Sequence, residues 1–312
     1  MLYGVVHSSY LDMSCYITEF ERYADEVSVV TVDQVHDPLQ VTFAMLWFPD
    51  DDFFEHYPNV RIVASIAAGV DSILACPSLP DSVVVCRNRD SEQAAIMSTF
   101  AIWNVINHQR NFSQYRKQQE EKVWQRLSKR APNEVSVGVL GLGFMGEKIA
   151  NDLHALGFDV AGWRKSNTKL ANKCIDVFSG ENQFSGFLHR TEVLICVLPL
   201  TPQTQGILSS DLFSQLKDNA YLIHLGRGGH LIEEDLLTAL DSGSVAGASL
   251  DVFAQEPLSA NNLFWDHPQV LVTPHDASDV RPQAAVLNLL EEIRRFSIGE
   301  TPKNRVTHTQ GY

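Results

Sequence analysis

The sequence predicts an α/β protein made of two doubly wound parallel sheets. Short β-branched runs recur all along the chain, they alternate with stretches of helical periodicity, and one runs directly into a Gly-x-Gly-x-x-Gly turn. At 312 residues the chain is long enough for two domains of roughly 100–200 residues each.

In the first third the runs are Leu2 to His7, Val27 to Val32, Phe43 to Trp47, Arg61 to Ile66 and Val83 to Cys86. A second series comprises Val135 to Leu140, Val160 to Trp163, Val193 to Leu198, Tyr221 to Leu225, Val245 to Val252 and Val270 to Thr273. Most are continuous apolar stretches without in/out alternation, the pattern of parallel strands covered by helices on both faces. Ile149, Leu153 and Leu156 lie on one face of a helix that Gly157 stops, and Leu236, Leu237 and Leu240 do the same before Gly243. Between the two series, Met97 to Pro132 is rich in Gln, Asn, Arg and Lys with Trp103 and Trp124 embedded. It reads either as a solvated linking helix or as a helix and arm reaching a second subunit.

Composition narrows the function. Apolar residues make up 45% and charged residues 20%, as in ordinary globular proteins. A net charge of −14 argues against nucleic acid or an acidic membrane surface as partner. No apolar run is long enough to span a bilayer, and Met1 to Ser8 lacks the basic start of a secretory leader, so a cytoplasmic location is expected. Cys15, Cys76, Cys86, Cys174 and Cys196 are scattered, with no C-x-x-C and no histidine at ligand spacing, so they are expected to be free thiols and no metal site is expected. Cys86 and Cys196 fall inside apolar runs, where thiols are inert.

The chemistry-bearing residues sit just past strand ends. Gly141-Leu142-Gly143-Phe144-Met145-Gly146 has a strand before it and an amphipathic helix after it, the setting of a dinucleotide-binding turn. An NAD site calls for an acidic residue ending the next strand, but here Trp163 is followed by Arg164-Lys165-Ser166. Two cations and a hydroxyl suit the 2′-phosphate of NADP, with NADH as the less favoured cofactor; a solvated basic turn is the alternative. Ala67-Ala68-Gly69-Val70-Asp71 follows a strand and offers backbone N–H groups to a carboxylate, or is simply a tight turn. Arg227, Glu256 and His275 each follow a strand, so cation, carboxylate and imidazole converge on the ligand-binding edge of one sheet. Such an arginine can fork onto a substrate carboxylate. The imidazole suits proton transfer, and a carboxylate beside it favours the charged ring.

With these residues in place the chain resembles the D-isomer-specific 2-hydroxyacid dehydrogenases along nearly its whole length. The likeness rests on A-A-G-V-D from Ala67, G-L-G-F-M-G from Gly141, L-P-L-T-P-Q-T from Leu198, G-R-G-G-H-L-I-E-E-D-L-L from Gly226, L-D-V-F-A-Q-E-P-L from Leu250, T-P-H from Thr273 and R-P from Arg281. The resemblance implies NADPH-dependent reduction of small 2-oxo acids, glyoxylate or hydroxypyruvate, by a homodimer; the alternatives are an NAD-linked D-lactate or phosphoglycerate dehydrogenase and a catalytically weak NADP(H)-sensing protein. By position, Arg227 would hold the substrate carboxylate and His275 would protonate the keto oxygen with Glu256 behind it. The N–H groups of Ala68 and Gly69 would bind the carboxylate, and Trp47 would narrow the pocket, a core tryptophan being the alternative. Leu198, Pro199, Thr204, Leu225 and Gly226 would line the cofactor's path, with Asp251 facing the nicotinamide carboxamide. The resemblance also implies a flavodoxin-like substrate domain (residues 1–101 and 283–312) into which a Rossmann nucleotide domain (102–282) is inserted, and it turns Met97 to Pro132 into a dimerisation arm. Departures from the family's pattern are Asp276 and Asp279 after His275, where small or apolar residues are usual, and His224 in place of a common asparagine. Facing the imidazole, Asp276 would favour its charged form; lining the pocket, it would repel anionic substrate tails.

Overall fold

The computed structural model describes residues 1–165 and 175–306. Ser166 and Cys174 therefore lie outside the described residues. In chain order the first elements are β1 (Leu2–Ser8), α1 (Ser14–Phe20), β2 (Val27–Thr31), β3 (Val41–Trp47), α2 (Phe53–His56), β4 (Ile62–Ser65), α3 (Asp71–Leu74) and β5 (Val84–Cys86). Next come α4 (Ser91–Gln109), α5 (Phe112–Glu120), β6 (Ser136–Leu140), α6 (Phe144–Ala155), β7 (Asp159–Arg164), β8 (Asp176–Ser179), α7 (Phe184–Arg190) and β9 (Val193–Cys196). The last are α8 (Ser210–Phe213), β10 (Ala220–His224), α9 (Glu233–Ser242), β11 (Val245–Leu250), β12 (Val270–Val272), α10 (Pro282–Ser297) and β13 (Arg305–Val306).

The chain divides into two compact units, one of Met1–Gln93 with Val280–Tyr312 and one of Ala94–Asp279. The boundaries expected from the sequence lie a few residues further on, inside α4 and at the start of α10. The first unit holds a sheet of order β2-β1-β3-β4-β5-β13, parallel except for β13, which pairs antiparallel with β5. Its first five strands have the flavodoxin-like order. The second unit holds a parallel sheet of order β8-β7-β6-β9-β10-β11-β12, the dinucleotide-binding arrangement with one strand added. The predicted α/β class with two doubly wound sheets is therefore what the chain adopts.

Burial explains why the central strands read as apolar runs. In the second sheet β6, β9 and β10 are buried at every residue. Leu194, Cys196 and Leu222 face α7, α8 and α9, whereas Val139, Ile195 and Ile223 face α4 and α6. In the first unit α1 and α10 cover one face through Tyr16, Phe20, Leu289, Leu290 and Ile293, and α2 and α3 cover the other through Phe53, Phe54 and Ile73. Burying each such side chain stabilises the fold by about 1.5–3 kcal/mol. Among the described residues, no helix is long and apolar enough to cross a membrane.

Candidate active site

The carboxyl edge of the second unit's sheet gathers most of the predicted residues. β6 ends at Leu140, and the glycine turn leads straight into the twelve-residue α6, whose N-cap Gly143 provides no side-chain cap. The three glycines are required for different reasons. Gly141 has φ +111°, in the region open to glycine, and its N–H, like that of Leu142, donates to the Trp163 carbonyl. A Cβ on Gly146 would lie 1.9 Å from the Gly141 carbonyl oxygen. On Gly143 a Cβ would meet nothing within 4 Å, so packing does not require glycine there. What Gly143 leaves open is space at the amino end of a helix, the seat of a pyrophosphate, and the residues present fit a dinucleotide. Phe144 is exposed, Met145 half-buried and Gly146 buried in the first turn.

At the end of β7, Arg164 is half-buried and Lys165 exposed. Trp163 is 8% exposed, packs edge-on against Phe184, and donates its indole N–H to the Gly180 carbonyl at 3.0 Å. Its ring is thus a core element, and its carbonyl is taken by the N–H groups of Gly141 and Leu142, so the part in cofactor binding that its place at the end of β7 suggests finds no support in its contacts. After β9 the turn from Leu198 is closed by Thr204, whose hydroxyl donates to the Pro199 carbonyl at 2.8 Å and accepts from the Thr201 N–H at 2.9 Å. Leu225 and Gly226 continue β10 as buried residues, with the Leu225 N–H on the Cys196 carbonyl.

Arg227 stands half-buried between two glycines. A Cβ on Gly228 would sit 1.8 Å from the Phe253 carbonyl carbon, so the turn packs directly on the segment leading to Glu256. Glu256 accepts the Phe253 N–H at 3.0 Å on Oε1 and meets His275 Nδ1 at 2.8 Å through Oε2. Burial alone would push this carboxyl up. The hydrogen bonds from His275 and Phe253, with the charges of His275 and Arg227, outweigh it and hold Glu256 below the usual carboxylate range. An ionised carboxylate only accepts, so His275 Nδ1 carries a proton and Nε2 is the atom the ring presents outward. His275 is 39% exposed and Glu256 37%.

His275 has φ +55°, a conformation a non-glycine residue keeps only when its surroundings hold it. Asp251 provides that hold. Its carboxylate, 1% exposed, accepts the Thr273 hydroxyl at 2.6 Å and the N–H groups of Asp276 and Ala277 at 2.9 and 3.0 Å. The expected role of facing a cofactor amide is thus joined by one the sequence did not suggest, anchoring the histidine loop. A carboxylate directly after a buried strand and ahead of a turn was the available signal. Asp276 is exposed and tied in through its N–H, and the imidazole's partner is Glu256.

The first unit has an edge of a different kind. Trp47 ends β3 and stacks edge-on with Phe48 at 5.0 Å while packing on the apolar cluster under α1 and α10. In the turn after β4 the Ser65 hydroxyl donates to the Gly69 carbonyl at 2.6 Å and accepts the Ala67 N–H at 3.1 Å. The buried Asn88 donates to the carbonyls of Ile66 and Ala67. With these carbonyls occupied, the N–H groups of Ala68 and Gly69 make no hydrogen bond among the described residues. They form a backbone cradle suited to a carboxylate.

Two further observations concern the cysteines. Burial pushes the Cys86 and Cys196 thiols up to about 12, as inert core groups. The fold also brings Cys196 together with His224 and His230, all buried, a grouping that sequence spacing did not reveal.

Comparison with known proteins agrees with this geometry. Residues 102–277 match the family model described as D-isomer specific 2-hydroxyacid dehydrogenase, NAD binding domain. A glyoxylate/hydroxypyruvate reductase A of Yersinia enterocolitica is 35% identical over 281 residues, 88% of this chain and 89% of the relative. Among solved structures, a D-isomer specific 2-hydroxyacid dehydrogenase from Xanthobacter autotrophicus in complex with NADPH and MES superposes with a TM-score of 0.94 at 34% identity, covering 100% of this chain and 99% of that one. An NADPH-dependent glyoxylate/hydroxypyruvate reductase from Sinorhizobium meliloti in complex with NADP and sulfate gives 0.93 at 33% identity, covering 100% of both chains. Matching strand order, glycine turn and motif blocks over this length, the chain belongs to the D-isomer specific 2-hydroxyacid dehydrogenase family.

Proposed function

We propose that the protein is an NADPH-dependent reductase of small 2-oxo acids, acting on glyoxylate and hydroxypyruvate and giving the D-hydroxy acid where the product is chiral. The observation that carries this reading is the 2.8 Å His275–Glu256 pair on the same sheet edge as Arg227 and the glycine turn. When bound, the reduced nicotinamide supplies the hydride that goes to the keto carbon. His275 Nε2 donates the proton to the keto oxygen, and the ionised Glu256 stabilises the ring while it carries the extra proton. Arg227 pairs with the substrate carboxylate and polarises the keto oxygen, and the N–H groups of Ala68 and Gly69 bind the carboxylate. Trp47 narrows the pocket.

For the cofactor, Gly141, Gly143 and the first turn of α6 (Phe144, Met145, Gly146) cradle the pyrophosphate. Leu198, Pro199, Thr204, Leu225 and Gly226 line its path, and Asp251 lies beside the nicotinamide end. Arg164, Lys165 and Ser166 take the 2′-phosphate. The NADPH and NADP present in two similar structures support this choice. In this reading Ala94–Asp279 is the nucleotide unit and the remainder the substrate unit. The protein works as a cytoplasmic homodimer; the exposed Trp103 on α4 and Phe112, Val123 and the fully exposed Trp124 beyond it support a partner-facing segment.

The test follows NADPH and NADH oxidation with glyoxylate, hydroxypyruvate and larger 2-oxo acids. We expect the highest kcat/KM for the two small acids with NADPH. No turnover on the panel, or a strong NADH preference, would overturn the reading.

A further inference from the structure

Two buried imidazoles that the reaction does not use flank the main chain of Arg227. His224 ends β10, and His230 closes the short turn that follows Arg227; both are 0% exposed. Their rings meet edge to face with centroids 5.7 Å apart. His224 Nε2 lies 3.0 Å from the Arg227 carbonyl, the Arg227 N–H donates to His230 Nδ1 at 3.0 Å, and His230 Nε2 lies 3.2 Å from the Pro199 carbonyl.

The partners determine the protons. A carbonyl only accepts, so Nε2 of both rings carries hydrogen; a backbone N–H only donates, so Nδ1 of His230 is bare. His230 is therefore a neutral Nε2–H tautomer, and burial pushes His224 down to about 3, so that it is neutral as well. This arrangement has a cost. His224 Nδ1 is buried without a hydrogen-bond partner, which an apolar side chain of similar volume would avoid. Packing of β10 thus does not account for an imidazole at this position; its bond to Arg227 does. Cys196, the residue paired with His224 on β9, completes a cluster whose ligand atoms lie within 4.8 Å of one another. Three of the four ring nitrogens in it are already committed to main chain, which favours a clamp over a metal site.

We infer that His224 and His230 are positioning residues that hold the C=O and the N–H of Arg227 and thereby aim its guanidinium. The inference rests on the role proposed for Arg227. The Arg227 carbonyl also accepts the His230 N–H at 3.0 Å, and Gly228 is pressed on Phe253, so the turn keeps its overall course without His224. What His224 adds is the exact setting of one peptide.

The test compares wild type, His224→Leu, His224→Gln and Arg227→Ala, measuring kcat and KM for glyoxylate with NADPH, and NADPH binding by fluorescence. In His224→Leu the glyoxylate KM rises about tenfold or more, with a smaller fall in kcat and unchanged NADPH binding, because the lost contact orients one anchor and touches no cofactor residue. His224→Gln, whose amide nitrogen reaches the same carbonyl, recovers most of the loss. His224→Met, which has no N–H to give that carbonyl, takes the place of His224→Leu if that variant does not fold, with the same KM rise expected. A wild-type glyoxylate KM in the Leu or Met variant, while Arg227→Ala is crippled, overturns the clamp alone. Normal activity in Arg227→Ala overturns the clamp together with the role of Arg227.

Discussion

The sheet of the second unit carries a histidine, a glutamate and an arginine at each of its two edges, and the two sets are built to opposite ends. At the amino edge Glu192, 11% exposed, takes Arg130 on both carboxylate oxygens and His108 at 3.2 Å. Burial would raise this carboxyl, but the bonds from Arg130 and His108 outweigh it and hold it down at about 2. At the carboxyl edge Glu256 bonds His275 and a backbone N–H, Arg227 reaches it through charge, and both members of the pair are more than a third exposed. The same three residue types thus tie the return from α5 to the sheet at one edge and, in the proposed reaction, offer a proton and a cation to a ligand at the other. Residue type does not distinguish them; burial and the saturation of the carboxylate do.

Changing the glutamate in each set separates the roles. Glu256→Gln removes the charge behind His275 and should lower kcat by about 10²–10⁴-fold with little change in melting temperature, read by NADPH oxidation and calorimetry. Glu192→Gln should leave kcat near wild type and cost stability. Because the folded-state value of Glu192 is depressed from 4.5 to about 2, its contribution is present above pH 4.5 and lost as the pH falls through 2. That makes about 3 kcal/mol at most near neutrality, and urea titrations of wild type and variant should converge as the pH approaches 2.

Within the glycine turn the contrast recurs on a smaller scale. Gly146→Ala forces a methyl onto the Gly141 carbonyl and should destabilise by about 1–3 kcal/mol. Gly143→Ala adds a methyl in open space, so its melting temperature should hold while its NADPH KM rises. The smallest effect belongs to the first unit. Ser65→Ala loosens the Ala68–Gly69 cradle without removing its N–H groups and should raise the 2-oxo acid KM several-fold, an effect of about 1 kcal/mol.

Much of this was legible in the sequence because the parallel strands are buried on both faces. β6, β9 and β10 read as continuous apolar runs, and the glycine turn, Arg227, Glu256 and His275 could be placed by the strand each follows. β8 escaped because Asp-Val-Phe-Ser at a sheet edge is only partly buried, and β13 because two residues have no period. The anchoring of the His275 loop by Asp251 and the gripping of Arg227 by His224 and His230 depend on main-chain partners that a sequence pattern does not display. Trp163 shows the reverse, a residue of suggestive position whose ring the core absorbs.

The central claim, that the open set at the carboxyl edge performs proton transfer to a 2-oxo acid, is tested most directly by His275→Asn. Its NADPH-dependent turnover of glyoxylate should fall by about 10²–10⁴-fold while NADPH binding is unchanged. Turnover close to wild type in that variant would contradict the claim.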